Sequence, residues 1–239
     1  MSKARGRRRR KKRSYPKGKF IVFTNPIKTF HEKWYKGRDL LDFPHPFRMI
    51  IAAAPNTGKT GIIKNIIYRS AKGDKSFKKI YLIHGDKTTT EYDDVGGIKK
   101  LTRVPDPDKL GSAGVKSLLI IDDFITNAKM DPKDEKRLST IMSRISTHKN
   151  FSIIITSQYI TYIPTSIRSL ANIHVISKVK NFHLLPSTAH AVGIHPDKFK
   201  EINREFLMPN AHSTLWVDGT TNTPKRYRLN GYDDVPLLD

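Results

Sequence analysis

Short, unbroken apolar runs alternate along this chain with stretches in which apolar residues recur every three or four positions. The unbroken runs predict buried β-strands, and the periodic stretches predict amphipathic helices. The strands expected from this pattern cover residues 47–53, 79–84, 116–124, 151–157 and 173–177. Because strands and helices alternate and the strands are apolar throughout, the pattern predicts an α/β fold with a mostly parallel sheet flanked by helices.

The helices expected from the periodic stretches cover residues 59–71, 131–148, 163–171 and 195–208. The first of them carries one apolar stripe, formed by Ile62, Ile63, Ile66 and Ile67. The second has Asp131 as its expected N-cap and Pro132 in its first turn, where the missing N–H of proline costs nothing.

Weaker signals lie outside this regular pattern. Residues 19–30 predict a short strand and a turn, and the loop-rich stretch after the second strand contains one expected short strand at 102–104. Residues 213–219 and 225–230, joined by TTNTP, predict a C-terminal β-hairpin.

Positive charge is concentrated at the start of the chain. Lys and Arg number 44 against 22 Asp and Glu, a formal net charge of +22. Residues 1–19 hold 11 of the basic and none of the acidic residues, so half of the net charge lies there. We expect a flexible, disordered tail at 1–19 and one folded domain at 20–239. The tail leaves three roles open: a nucleic-acid-binding arm, a nuclear-import signal or a solubilising segment.

The remainder of the chain still carries 33 basic against 22 acidic residues, which favours a polyanionic partner for both parts. The chain has no cysteine, which excludes disulfides, thiol catalysis and cysteine-ligated zinc. No run approaches the roughly 18–20 apolar residues of a membrane span, so none is expected. The charged N-terminus has no apolar segment behind it, so no signal peptide is expected either.

The stretch AAAPNTGKT, residues 52–60, lies between the first strand and the first helix. It approaches the pattern G-x-x-x-x-G-K-[ST], in which backbone N–H groups surround a β-phosphate, the lysine reaches the β and γ oxygens, and the hydroxyl joins the Mg²⁺ shell. Ala53 replaces the first glycine, which costs little if its φ is negative. The residues expected to bind ATP are Ala53, Ala54, Pro55, Asn56, Thr57, Gly58, Lys59 and Thr60.

Two acids follow the apolar run of the strand at 116–124. Nucleotide hydrolysis needs an acid at the end of a neighbouring strand to hold Mg²⁺ through water, and often a second acid to activate the attacking water. We assign Asp122, with Thr60, to Mg²⁺ and Asp123 to the role of general base. Gln158 ends the next strand, at the same rim of a parallel sheet, and is expected to contact the γ-phosphate or the attacking water.

Four segments, AAAPNTGKT, SLLIIDDF, FSIIITSQ and IPTSIRSLAN, resemble those of the FtsK/HerA superfamily of P-loop ATPases. The resemblance covers residues 47–178 and is closest to the poxvirus-type genome-packaging ATPases of double-stranded DNA viruses and virophages. Its more specific parts are Gln158 and the segment 163–168 (IPTSIR). The family's basic or histidine element before the glutamine strand corresponds here to residues 147–149, without an arginine directly before His148.

The resemblance implies a RecA-like sheet, a homo-oligomeric ring (pentamer or hexamer), and ATP-driven translocation of double-stranded DNA into a preformed capsid. It also implies an arginine that reaches the γ-phosphate bound by a neighbouring subunit. Arg168 is the stronger candidate and Arg144 the second. A capsid protein is a further expected partner, and the virion or the viral assembly site is the expected location. Basic loops at 72–79 and 178–180 are alternative DNA contacts.

Three other interpretations stay open. A replicative helicase or a DNA-transfer motor of the same superfamily would use the same nucleotide site. A non-catalytic DNA-binding protein with a relic nucleotide pocket is supported by Ala53 alone. A small-molecule or nucleotide kinase would carry an arginine-rich lid, and no such segment follows Gln158.

Overall fold

The computed structural model describes residues 45–69, 77–110, 114–125, 130–221, 226–231 and 233–235. The predicted basic tail at 1–19 and the predicted strand and turn at 19–30 lie outside the described residues. No helix in the described part of the chain combines the length and the apolar character that a membrane crossing demands.

The strands are β1 Arg48–Ala52, β2 Lys79–His84, β3 Ile98–Leu101, β4 Ser117–Asp122, β5 Phe151–Ser157, β6 Ile173–Ser177, β7 Thr214–Asp218, β8 Tyr227–Leu229 and β9 Asp233–Asp234. These nine strands of the described residues form one sheet in the order β3-β2-β4-β5-β1-β6-β7-β8-β9. The six strands from β3 to β6 in this order run parallel, and the last three run antiparallel. The predicted α/β class and the predicted C-terminal hairpin, β7–β8, are confirmed.

Helices flank this sheet. They are α1 Lys59–Arg69, α2 Pro132–Thr140, α3 Ser146–His148, α4 Thr165–Arg168, α5 Leu185–Val192 and α6 Pro196–Ile202. The helix expected at 131–148 is continuous, but it is π-helical at Ile141–Ile145, between α2 and α3. The expected N-cap is confirmed, because the Asp131 side chain accepts hydrogen bonds from Lys133 N and Asp134 N.

The core forms one layer on each face of the sheet. Successive residues of β1 alternate between them: Met49 and Ile51 lie in the layer under α1, while Ile50 and Ala52 lie in the opposite layer, with residues from α2 and from α4 to α6. The central strands are thus buried on both faces, which is why they read as unbroken apolar runs. The predicted stripe of α1 is buried in the first layer, at Ile62, Ile63, Ile66 and Ile67.

Two sequence expectations are wrong in position or extent. The short strand lies at Ile98–Leu101 instead of 102–104, because the backbone pairing with β2 falls there. The helix expected at 163–171 is confined to α4. It stops early because Asn172 bonds the backbone of Arg48 through both its amide N–H and its side chain, which directs the chain into β6.

The carboxyl ends of the parallel strands meet at one edge of the sheet, as in other open α/β sheets. Ala52 at the end of β1 pairs with Ser157 at the end of β5, and His84 at the end of β2 pairs with Asp122 at the end of β4. The loop after β1, the acids at the end of β4 and Gln158 after β5 therefore open onto the same edge, which we call the carboxyl rim.

Candidate functional site

The segment between β1 and α1 forms a tight loop at the carboxyl rim. Gly58 has a φ of 95° and Asn56 a φ of 60°, conformations that glycine and asparagine adopt at the least cost. Ile62 N donates to Gly58 O over 3.0 Å, so the first turn of α1 starts directly at the loop. The N–H groups and the positive dipole end of a helix that begins in this way make the loop a suitable cradle for phosphate.

Ala53 replaces the first glycine of the pattern without strain. Its φ lies outside the left-handed region, and its side chain is buried in the layer under α1. The Ala53 N–H donates a 3.0 Å hydrogen bond to Ser157 O, which continues the pairing between β1 and β5 into the loop. The alanine therefore leaves the loop geometry intact.

Lys59 connects the loop to the acids of β4. The side chain is only 8% exposed. Its ammonium nitrogen donates to Ala53 O over 3.2 Å and lies 3.2 Å from Asp123 Oδ2. The structure thus brings the lysine of the phosphate loop and the second acid of the IIDD strand together, while their roles in hydrolysis stay predictions.

Asp122 is buried at the end of β4 and accepts two short hydrogen bonds. Thr156 Oγ1 donates to its Oδ1 and the Tyr92 hydroxyl to its Oδ2, each over 2.5 Å. Burial raises the pKa of Asp122, and these two hydrogen bonds oppose the rise. Burial and the charge of Asp122 raise the pKa of Tyr92, so this phenol remains a donor. The two donors hold the carboxylate in one orientation.

The Asp123 side chain points towards Lys59 and not into the core with Asp122. Its backbone is left-handed at this turn, with a φ of 46°. Its N–H donates to Thr156 Oγ1 over 2.9 Å, and its carboxylate is 41% exposed next to Lys59. The turn passes close to Gly85, where any Cβ would collide with Asp123 O. Consecutive acids are thereby separated into a buried one and an accessible one, as metal binding and proton transfer would require.

Oxygen donors for a metal ion surround the N-terminus of α1. Thr60 Oγ1 donates to Glu91 Oε2 over 2.6 Å. Ligand atoms of His84, Glu91 and Asp122 all lie within 4.8 Å of one another. Hydroxyl and carboxylate oxygens are the ligands that Mg²⁺ prefers, so Thr60 and Asp122 fit their predicted role. Thr60 contacts this group through its hydrogen bond to Glu91, and Asp122 is held in the group by its hydrogen bond from Tyr92. Sequence reasoning missed both Glu91 and Tyr92.

Gln158 follows β5 and is exposed at the carboxyl rim. It lines a cleft together with Ala54 of the phosphate loop, Lys178 and Lys180. The placement is compatible with contact to a bound γ-phosphate, and the sensor role stays a prediction.

The two candidate arginines lie in the segments that precede and follow β5. Arg168 donates to Ile160 O over 3.4 Å and to Thr165 Oγ1 over 3.0 Å, both in its own segment. Arg144 is exposed in the π-helical turn, next to Met142, whose carbonyl accepts from Arg48 at the amino end of β1. Arg168 is therefore the candidate nearer to the rim, because Ile160 lines the cleft with Gln158.

Comparison with known proteins gives structural but no sequence matches. No protein-family model and no curated protein sequence matches the chain. The structure is similar to that of the genome packaging NTPase B204 from Sulfolobus turreted icosahedral virus 2 in complex with sulfate. The TM-score is 0.53, with 14% identity over 81% of this chain and 99% of the other. The AMPPCP complex of B204 gives a TM-score of 0.51, with 14% identity over 82% and 100% of the two chains.

The chain has a RecA-like P-loop NTPase fold. A second similar structure is that of the pCW3 conjugation coupling protein TcpA, monomer form with ATPγS. Its TM-score is 0.51, with 11% identity over 73% of this chain and 58% of TcpA. At 11–14% identity, these likenesses show the fold alone. In this P-loop NTPase fold, the observed loop, the acids of β4 and Gln158 occupy one rim of the sheet.

Proposed function

We propose that this P-loop NTPase is an ATP-driven translocase of double-stranded DNA that packages a viral genome into a preformed capsid. The observation that carries the proposal is the 3.2 Å contact between Lys59 of the phosphate loop and Asp123 of β4. It supports a single site in which a triphosphate and its attacking water lie between loop and acid.

The side chains of this site have distinct tasks in the proposal. Lys59 turns its ammonium from Asp123 to the β and γ oxygens of ATP, which frees the Asp123 carboxylate to accept a proton from water. Thr60 and Asp122 would hold Mg²⁺, which neutralises the charge of the phosphates when it is bound. Gln158 senses whether a γ-phosphate is present and passes the difference to the residues that share its cleft.

DNA contact is proposed for the basic residues beside that cleft. A motor that moves along any sequence must hold phosphates instead of reading bases. Lys178 and Lys180 line the cleft with Gln158. Lys79 belongs to the other candidate segment, residues 72–79. It begins β2, so it lies at the amino edge of the sheet, opposite the carboxyl rim. The arrangement favours 178–180 as the DNA-contacting segment.

Ring assembly and location complete the proposal. Arg168, or Arg144 as the second candidate, would act on the nucleotide of a neighbouring subunit in a pentamer or hexamer. A capsid protein is the proposed docking partner, in the virion or at the viral assembly site. The basic tail would add salt-sensitive affinity for DNA or direct nuclear import.

A DNA-transfer motor is the second candidate function, and the likeness to the conjugation coupling protein TcpA supports it. The relic interpretation loses its support, since Ala53 fits the loop without a left-handed φ. Packaging and transfer motors both move duplex DNA, but only packaging requires a capsid.

The experiment that tests the proposal is ATP turnover with and without duplex DNA. Wild type is expected to be stimulated by DNA, and Lys59→Ala is expected to lose activity under both conditions. Lys64→Ala serves as the matched control, because Lys64 lies one turn later on α1 and pairs with Asp94 on the surface. ATP turnover that is independent of DNA, with transfer of phosphate to a small acceptor, would favour the kinase. The absence of any ATP turnover would favour a non-catalytic DNA-binding protein.

A further inference from the structure

Three side chains from separate segments converge beside the phosphate loop without belonging to its motif. His84 ends β2, Glu91 lies in the connection between β2 and β3, and Asp122 ends β4. One ligand atom of each lies within 4.8 Å of the other two. His84 and Asp122 are direct partners in the parallel pairing of β2 and β4, so the sheet itself fixes their separation.

The connection that carries Glu91 is anchored at several points. Lys100 of β3 donates to Thr89 O over 2.8 Å and to Asp93 Oδ1 over 2.9 Å. The Tyr92 ring is buried, and its hydroxyl bonds Asp122. Glu91 itself accepts from Thr60 Oγ1. The carboxylate is therefore held in place by its neighbours in the chain, as a ligand of a defined site would be.

The His84 ring has the outer partner that metal-binding imidazoles usually have. Its Nδ1 lies 2.9 Å from both the N–H and the carbonyl oxygen of Asp86. When Nδ1 carries the proton and donates to Asp86 O, the Nε2 lone pair is available to an ion. Nε2 is the atom nearer Asp122, 3.8 Å from its Oδ2.

Charge also favours a cation between these groups. Asp122 is 2% exposed, and the hydroxyls that donate to it, from Tyr92 and Thr156, are neutral. A buried carboxylate beside a second carboxylate, Glu91, is stabilised when a cation compensates the charge. The nearby Lys59 ammonium lies against Asp123.

We propose that His84, Glu91 and Asp122, with the Thr60 hydroxyl, form a divalent-cation site that is loaded before the nucleotide binds. Because its ligands are mainly oxygens with one imidazole, the site takes Mg²⁺ or a first-row transition ion, and Mn²⁺, which accepts the same oxygen ligands as Mg²⁺, is the probe for it. This inference deepens the proposed nucleotide site, and it rests on the proposed function only for the later use of the ion in hydrolysis.

The test is Mn²⁺ binding to the full chain without nucleotide, followed by the loss of the electron paramagnetic resonance signal of free Mn²⁺. Wild type is expected to bind one Mn²⁺ in the absence of nucleotide. Loss of only an outer partner of a metal ligand commonly weakens metal binding by about 10–100-fold, so loss of a ligand itself in His84→Ala or Glu91→Gln is expected to weaken it at least as much.

The controls are His148→Ala and Glu205→Gln, exposed residues outside the cluster, which are expected to bind Mn²⁺ like wild type. Glu91→Gln keeps size and shape, so it decides the outcome if His84→Ala does not fold. Mn²⁺ binding that needs nucleotide, or that survives in Glu91→Gln at wild-type affinity, would overturn the proposal. Normal Mn²⁺ binding without DNA-stimulated turnover would instead count against the motor and leave the cation site standing.

Discussion

Thr156 Oγ1 donates a 2.5 Å hydrogen bond to Asp122 Oδ1, and the same oxygen accepts from Asp123 N over 2.9 Å. One hydroxyl on β5 thus orients both acids at the end of β4. Asp122 remains buried beside Tyr92, while Asp123 turns towards Lys59. This contact explains how two adjacent residues acquire the different surroundings that their predicted roles require.

Replacing Thr156 with valine keeps the shape and removes both hydrogen bonds. Thr156 is fully buried, so its partners are left unsatisfied, and the free energy of unfolding is expected to fall by about 1–3 kcal/mol. ATP turnover is expected to fall with it, because Asp122 and Asp123 lose their common anchor. Thr156→Ser retains the hydroxyl and is the control. Chemical denaturation and turnover of both variants check the prediction; a fully active Thr156→Val enzyme would contradict it.

Gly85→Ala is expected to displace the turn at Asp123. The added Cβ would collide with the backbone carbonyl oxygen of Asp123, which cannot move away as a side chain does. We expect a loss of about 1–3 kcal/mol in stability and a loss of turnover. Gly96→Ala lies in the same β2–β3 connection with open space around its Cβ position, and it is expected to behave like wild type. Equal effects in the two variants would refute the explanation.

Acid is expected to destabilise the fold through His174. Burial, followed by the charge of Arg168, lowers the pKa of His174 from 6.5 to about 4. The unfolded chain therefore binds a proton between pH 6.5 and 4 that the folded chain does not, so stability falls as the pH is lowered through this range. The contribution is roughly 3 kcal/mol. Thermal unfolding from pH 7 to 4 should be less pH-dependent in His174→Gln; identical slopes in the two proteins would argue against it.

Removal of Lys178 and Lys180 is expected to weaken DNA binding irrespective of sequence. If both contact phosphates, the double alanine variant reduces the slope of log affinity against log salt by about 2. The control, Lys79→Ala with Lys109→Ala, removes the same charge from exposed positions elsewhere. Binding to several unrelated duplexes across a salt series measures both. A larger loss in the control pair would move the DNA contact away from the carboxyl rim.

The parts of the fold that the sequence predicts well are those whose burial is uniform. β2, β5 and β6 were bounded correctly, because an unbroken aliphatic run needs a two-sided cover of helices. β3 was misplaced, since its exposed central lysines interrupt the apolar run of an edge strand. α5 was not expected, because a segment of eight residues that includes a proline is too short to show a recognisable helical period.

The residues of the site also fall into those that the sequence predicts and those that it does not. The phosphate loop and the two acids could be found because each is a local pattern that follows a strand. His84, Glu91 and Tyr92 belong to no such pattern. The register between β2 and β4 brings His84 to Asp122, and the connection between β2 and β3 brings Glu91 and Tyr92 there. The sequence of one chain does not show which strands are neighbours or how they are aligned. A histidine that ends a buried strand, as His84 ends β2, is nevertheless a residue worth testing.

Displacement of a third strand from duplex DNA tests the central claim most directly. A short oligonucleotide bound as a triplex reports the passage of a motor along the duplex beneath it. The account predicts ATP-dependent displacement by wild type, none by Lys59→Ala, and no separation of the two duplex strands. ATP turnover without displacement, or displacement accompanied by unwinding, would contradict translocation on intact duplex DNA.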